Sequence, residues 1–219
     1  MATSMICVSL AEPTAAACLR ALEGIELAEI RLDKMRIGAA GVRKIFSRHP
    51  RLIATCRPGG MPEEKRRRLL LTAVEAGAAF VDIEIEAGPR FRERLIDAAH
   101  SRNRRVIISY HDFQRTPARA ELEAVVNRAF ANGADIAKIA CWVRERRDNA
   151  RLLGLLDLGP PLIVVGMGKR GRLTRIVAPF LGSLFTYAAL RESKRTADGQ
   201  LEAASLERIL LELEDYVSA

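Results

Sequence analysis

Short apolar runs alternate with longer amphipathic runs along this chain, eight times over. The apolar runs are Met5 to Leu10, Leu27 to Asp33, Leu52 to Arg57, Phe80 to Glu86, Val106 to Tyr110, Asp135 to Cys141, Pro161 to Met167 and Ser183 to Tyr187, each of strand length. The segments between them have helical spacing and recognisable punctuation. Pro62 stands near one helix start, Thr116 and Pro117 read as N-cap and first position of another, and Gly77 and Asn132-Gly133 read as stops. Two stretches, 75–84 and 131–140, look like copies of one joint, each passing from a helix end through Gly-Ala into a strand.

Strand and helix in strict alternation imply parallel strands joined by right-handed crossovers. Eight such units predict an α/β protein of the (β/α)8 TIM barrel class. With 219 residues, each unit has about 27, close to the smallest βα pair. The whole chain, 1–219, is therefore expected to form a single catalytic domain without a linker. The competing arrangement is an open doubly wound sheet. Against it, the turn after the first strand (Ser9-Leu10-Ala11-Glu12-Pro13) has no glycine-rich phosphate loop, and no GxGxxG or Walker motif occurs.

Composition narrows the partners. The uncharged stretch Ala178 to Leu190 is well short of the roughly 18 residues that suggest a bilayer span, and no signal peptide is expected at the start. Four cysteines, Cys7, Cys18, Cys56 and Cys141, lie far apart with no CxxC pair, which argues against zinc and disulfides and for reduced cytoplasm. The net charge of +8 admits nucleic acid, anionic membrane or an anionic metabolite. The arginine clusters (Arg66 to Arg68, Arg104 with Arg105, Arg144 with Arg146 and Arg147) are mixed with acids and lack interleaved aromatics, so they read as solvated surface.

In a barrel of this class the chemistry lies at the carboxyl ends of the strands. Strand 2 places Glu29, Arg31 and Asp33 on one face by period-two alternation; strand 3 ends in Arg57; strand 4 carries Asp82, Glu84 and Glu86 on one face. Singly, these charges are equally well explained as internal ion pairs, such as Glu29 or Glu84 with Arg31. Lys138, amid Ile136, Ala137, Ile139 and Ala140, is harder to treat as structural. A lysine in an apolar strand is pushed towards its neutral form unless a carboxylate holds it charged, and a neutral amine attacks ketones and aldehydes. His111 stands at the end of strand 5, one strand earlier, with an ordinary pKa suited to moving a proton. His49 and His100 read as surface residues, and Cys7, Cys56 and Cys141 as small apolar fillers.

At this point the sequence resembles the type I 3-dehydroquinate dehydratase family over nearly its whole length. The motifs are Ser9 on the opening strand, ExRxD at Glu29, Arg31 and Asp33, TxR at Thr55 to Arg57, VDIE at Val81 to Glu84 and SYHDF at Ser109 to Phe113. They continue with AKIA at Ala137 to Ala140, MGKRGRLTR at Met167 to Arg175 and TADGQ at Thr196 to Gln200. The resemblance implies a lyase of the shikimate pathway, serving aromatic amino acid biosynthesis, that needs no cofactor or metal. It would convert the anionic 3-dehydroquinate to 3-dehydroshikimate through a Schiff base, and family members are commonly homodimers.

By the same resemblance Lys138 is the imine-forming nucleophile and His111 the general acid–base. Glu84 is assigned to orienting His111 or to binding substrate hydroxyls, and Arg175 to clamping the carboxylate. Ser9, Glu29, Arg31, Arg57, Thr196 and Gln200 complete the binding shell, lined by Met167 and Tyr187. The family's lid commonly reads S/T-A-P-G-Q; here Asp198 replaces the proline, which implies a more flexible, acidic lid, with Lys194 and Arg195 offsetting its charge. The loop after Arg57 is short, Pro58-Gly59-Gly60, with no acid immediately after the arginine. A class I aldolase would also use a strand-6 lysine, and a nucleic-acid-binding barrel would also be basic. The three arginines Arg31, Arg57 and Arg175 favour a small carboxylate, and His111 favours proton abstraction.

Overall fold

The structure, a computed structural model, describes residues 6–217, so Met5 of the first expected strand lies outside the described residues. The elements run β1 (Ile6–Leu10), α1 (Ala15–Ala21), β2 (Ala28–Arg31), α2 (Ala39–Phe46), β3 (Leu52–Thr55), α3 (Glu63–Glu75), β4 (Phe80–Glu84) and α4 (Pro89–His100). They continue with β5 (Arg105–Asp112), α5 (Arg119–Ala131), β6 (Ile136–Trp142), α6 (Arg146–Leu153), β7 (Leu162–Met167), α7 (Arg172–Val177), β8 (Thr186–Ala189) and α8 (Ala203–Val217). The strands form one sheet in the order β7-β6-β5-β4-β3-β2-β1-β8. The Leu184 N–H donates to Leu162 O at 3.0 Å, so the segment entering β8 also meets β7. This is the (β/α)8 barrel class that the alternation predicts.

The chain forms two compact units. The first comprises Leu10–Tyr110 and Asn127–Ala137. In it β2, β3, β4 and β5 pair in parallel, with Ala28 opposite Leu52, Ile53 opposite Phe80 and Glu84 opposite Ser109. Phe46, Leu70 and Leu95 of α2, α3 and α4 are buried, as are Ala54, Val81 and Val106, which share the sheet face opposite to that of Thr55 and Asp82. The two copied joints are the same turn. Gly77 and Gly133 both take positive φ, and the next residue, Ala78 or Ala134, donates back to Ala73 or Ala129 O at 2.9 and 3.2 Å. A third copy closes α4, where Arg104 donates to Ala99 O at 2.9 Å and Asn103 takes the left-handed position at φ 54°.

The second unit comprises the segment up to Ser9, His111–Val126 and the chain from Lys138 onward. Here β1 pairs with β8, Ile6 opposite Thr186 through Ser9 opposite Ala189, and Ala188 packs on Leu206 and Leu210 of α8.

Several boundaries differ from the sequence reading. The last strand is Thr186–Ala189 rather than Ser183–Tyr187: the Ser183 hydroxyl donates to Phe185 O and accepts from Val164 N, which fixes Ser183 before the strand begins. Asp33 lies in a 3-10 turn, Leu32–Lys34, beyond β2, and Glu86 lies beyond β4 and is exposed. Thr116 does not cap α5; its hydroxyl donates to Trp142 O at 2.9 Å and the helix starts at Arg119. His49 is no plain surface residue: Nδ1 accepts from the Arg51 N–H at 3.1 Å, which leaves Nε2–H to donate to Ile25 O at 2.7 Å.

Candidate active site

Two polar clusters stand on the strands and in the segments after their carboxyl ends, one in each unit. In the first unit the clusters's centre is Arg57, two residues past β3. Its Nη1 donates to Asp82 Oδ1 at 2.9 Å, Glu84 Oε1 at 2.8 Å and Ser109 Oγ at 2.9 Å, and its Nη2 donates to Asp82 Oδ2 at 2.9 Å. Burial alone would lower the Arg57 pKa, but Asp82, Glu84 and Glu29 outweigh it and hold the guanidinium above its ordinary value. Ser109 also donates to Asp82 at 2.6 Å, and Glu29 accepts from Thr55 Oγ1 at 3.0 Å.

Arg31 is committed to Asp33, not to Glu29 or Glu84: Nε and Nη2 grip the two carboxylate oxygens at 3.0 and 2.7 Å. Burial would raise the Asp33 pKa, yet this bidentate pair keeps it below the usual carboxylate range. Arg66, read from sequence as surface, is buried in this cluster. Its Nε donates to Cys56 O at 2.9 Å and its Nη2 to Glu84 Oε2 at 2.8 Å. The spacing held the signal: Arg66 shares a helical stripe with Leu69, Leu70, Ala73 and Val74, all buried.

In the second unit Lys138 sits on β6 with its Nζ 4.1 Å from the centroid of the Tyr187 ring on β8. A ring face at that distance stabilises a cation on the lysine nitrogen. Tyr187 is itself braced edgewise by Phe185 at 5.6 Å. Met167 ends β7, buried. His111, next to last on β5, stacks on exposed Phe113 with ring centroids 5.9 Å apart.

The loop after β8 is knitted to this unit. Thr196 Oγ1 donates to Ser9 Oγ at 2.8 Å, and Gln200 Oε1 accepts from the Thr196 N–H at 2.8 Å. Gly199 has positive φ, and a Cβ there would run into the Gly168 carbonyl oxygen. Asp198 uses its backbone: its carbonyl accepts from the Gly168 N–H and from Arg175 Nη2, both at 3.3 Å, while the side chain is exposed. Both contacts use the carbonyl oxygen, which a proline at this position also carries.

Arg175, on α7, is 1% exposed. Its guanidinium meets only carbonyls, Asp198 O and Tyr187 O (3.2 Å), and its Nε has no partner among the described residues. Burial, with a smaller contribution from Arg172, lowers its pKa to about 10. A buried guanidinium without a carboxylate is costly, and a bound anion would relieve it. The folded protein holds this proton less tightly than the unfolded chain does. The charge therefore costs stability at all pH values below about 10, and the cost fades as pH rises above that. Accordingly, Arg175→Met is expected to leave the melting temperature at or above that of the parent. It should cut kcat/KM for a carboxylate substrate by about 10²- to 10³-fold, the loss of two charge-assisted hydrogen bonds. Calorimetry beside steady-state kinetics checks both, and a large loss of stability with intact kinetics would contradict the anion role.

Cys18, Cys56 and Cys141 are buried, and burial, as the main cause, pushes each thiol up to about 12. Among the described residues no group of three His, Cys, Asp or Glu could hold a metal ion, and no helix is long and apolar enough to cross a membrane.

The fold is a (β/α)8 barrel with a buried lysine against an aromatic face, a strand-end histidine and a buried guanidinium hydrogen-bonded to carbonyls. The family model for type I 3-dehydroquinase matches residues 6–216, and the chain belongs to that family. It is 39% identical over 209 residues to the 3-dehydroquinate dehydratase of Methanosarcina barkeri, covering 87% of this chain and 86% of that protein. With that of Methanosarcina mazei it shares 34% identity over 226 residues, covering 95% and 93%. The crystal structure of 3-dehydroquinate dehydratase from Geobacillus kaustophilus superposes with a TM-score of 0.86 at 25% identity, over 98% of this chain and 93% of that one.

Proposed function

We propose that this chain dehydrates 3-dehydroquinate to 3-dehydroshikimate through an imine on Lys138. The observation that carries this reading is the placement of the Lys138 nitrogen over the Tyr187 face, in the same unit as Arg175, a buried cation without a carboxylate. Neutral Lys138 attacks the C3 ketone, and the carbinolamine loses one water to give an iminium, whose positive nitrogen the ring face stabilises. His111 takes the C2 proton, and the C–H electron pair moves onto nitrogen to form an enamine. The enamine expels the C1 hydroxyl, which leaves as a second water with the proton that His111 returns. One water then hydrolyses the conjugated iminium, so the net change is the loss of one water.

Arg175 is assigned to the carboxylate, and Ser9, Thr196 and Gln200 to the loop that closes over substrate. Met167 lines the site beside Tyr187. Glu84 is kept, as the resemblance implies, for orienting the acid–base group or binding substrate hydroxyls, and Glu29 and Arg57 as polar contacts. Arg31, whose donors are engaged by Asp33, acts through that pair. Family likeness further supports a cytoplasmic homodimer, which sedimentation of the purified protein would check.

The test is borohydride reduction of the protein with 3-dehydroquinate, followed by peptide mass mapping. A reduced adduct confined to Lys138 is expected. No adduct with folded protein and ketone present would overturn the reading.

A further inference from the structure

We propose that Arg66 is a positioning residue for Glu84 and Arg57, and that it limits the negative charge of their cluster, which an anionic substrate would meet; this rests on the dehydratase reading above. Arg66 reaches from α3 with one fork that touches two strand ends. Its Nε holds the carbonyl of Cys56, the residue before Arg57, at 2.9 Å, and its Nη2 holds Glu84 Oε2 at 2.8 Å. The other Glu84 oxygen is held by Arg57 at 2.8 Å, so the carboxylate is fixed from both sides. The Arg66 guanidinium also lies 5.0 Å from the centroid of the Phe91 ring on α4.

Packing alone does not call for an arginine here. The neighbouring stripe positions on α3 are Leu69, Leu70 and Ala73, and a leucine would fill the same place at no desolvation cost. Charge does call for one. Asp82, Glu84 and Glu29 act on Arg57, and Glu84 also pairs with Arg66, three negative charges against two positive ones. A neutral residue at position 66 raises the excess from one negative charge to two and frees Glu84 Oε2. Arg57 is then drawn wholly onto its two carboxylates, and the cluster repels an anionic ligand.

A double-mutant cycle on dehydratase kinetics tests this, using Arg66→Met, Glu84→Gln and the two combined. Arg66→Met is expected to lower kcat/KM by roughly 10- to 100-fold, chiefly through KM, the loss of one charge-assisted hydrogen bond and of one positive charge. In the Glu84→Gln background the same change should cost less than about twofold, because the charge that Arg66 pairs with is gone. Arg66→Lys, which cannot span both acceptors, should recover only part of the loss, and added guanidinium ion should rescue Arg66→Ala, which leaves its volume open. An equal loss in both backgrounds, or a loss confined to thermal stability, would overturn the proposal. If Arg66→Met does not fold, Arg66→Lys takes its place in the cycle. Turnover by the parent protein tests the dehydratase reading separately: no turnover sinks that reading, whereas turnover without coupling sinks only the role of Arg66.

Discussion

Lys138→Ala is expected to abolish turnover of 3-dehydroquinate while the protein keeps its fold. The nitrogen is the only atom of this side chain that the proposed mechanism needs, and the adjacent strand residues Ile136, Ala137, Ile139 and Ala140 carry no amine. Alanine suits this run of small and apolar residues on β6, so the strand is expected to form as before. Far-ultraviolet circular dichroism should match the parent, and borohydride should leave every peptide unmodified. Undiminished activity would falsify the imine.

The second large effect is expected at His111, and it differs in kind. His111→Ala should slow turnover by about 10²- to 10⁴-fold, the usual contribution of a positioned acid–base group. On the proposed mechanism, with the histidine also assisting imine hydrolysis, the variant should still react with substrate and then stall. Intact-protein mass spectrometry without borohydride should show an adduct that maps to Lys138. A variant equally slow yet free of adduct would move the role of His111 to imine formation.

The fold was legible because the apolar runs are short, separated and β-branched-rich, and because Gly77 and Gly133 mark helix ends by a backbone requirement that side chains cannot disguise. Legibility failed where tertiary contacts decide. The strand Thr186–Ala189 ends in two alanines with little strand preference of their own; pairing with Val8 and Ser9 makes them a strand. The hydroxyl of Thr116 had a distant carbonyl to bond, which no local cap rule can foresee. Among the site residues, Lys138 and His111 stood out because each breaks or ends an apolar run. Arg66 did not, since it sits among Arg67 and Arg68 in a cluster that reads as solvent-facing unless the helical stripe is followed through it. The partner of Arg31 was equally hidden: Asp33 meets it only because the chain turns into a 3-10 helix beyond β2.

The repeated joint at the ends of α3, α4 and α5 has an evolutionary consequence. It is closed by backbone hydrogen bonds and asks only for a residue tolerant of positive φ, a glycine at two positions and Asn103 at the third. Each copy lies where a strand enters the sheet, so the requirements for folding collect at the amino ends. Mutation at the carboxyl ends, where Arg57, Glu84 and His111 stand, can then be sampled without rewriting the rules that assemble the barrel. A chain divided in this way can change its chemistry while inheriting its scaffold.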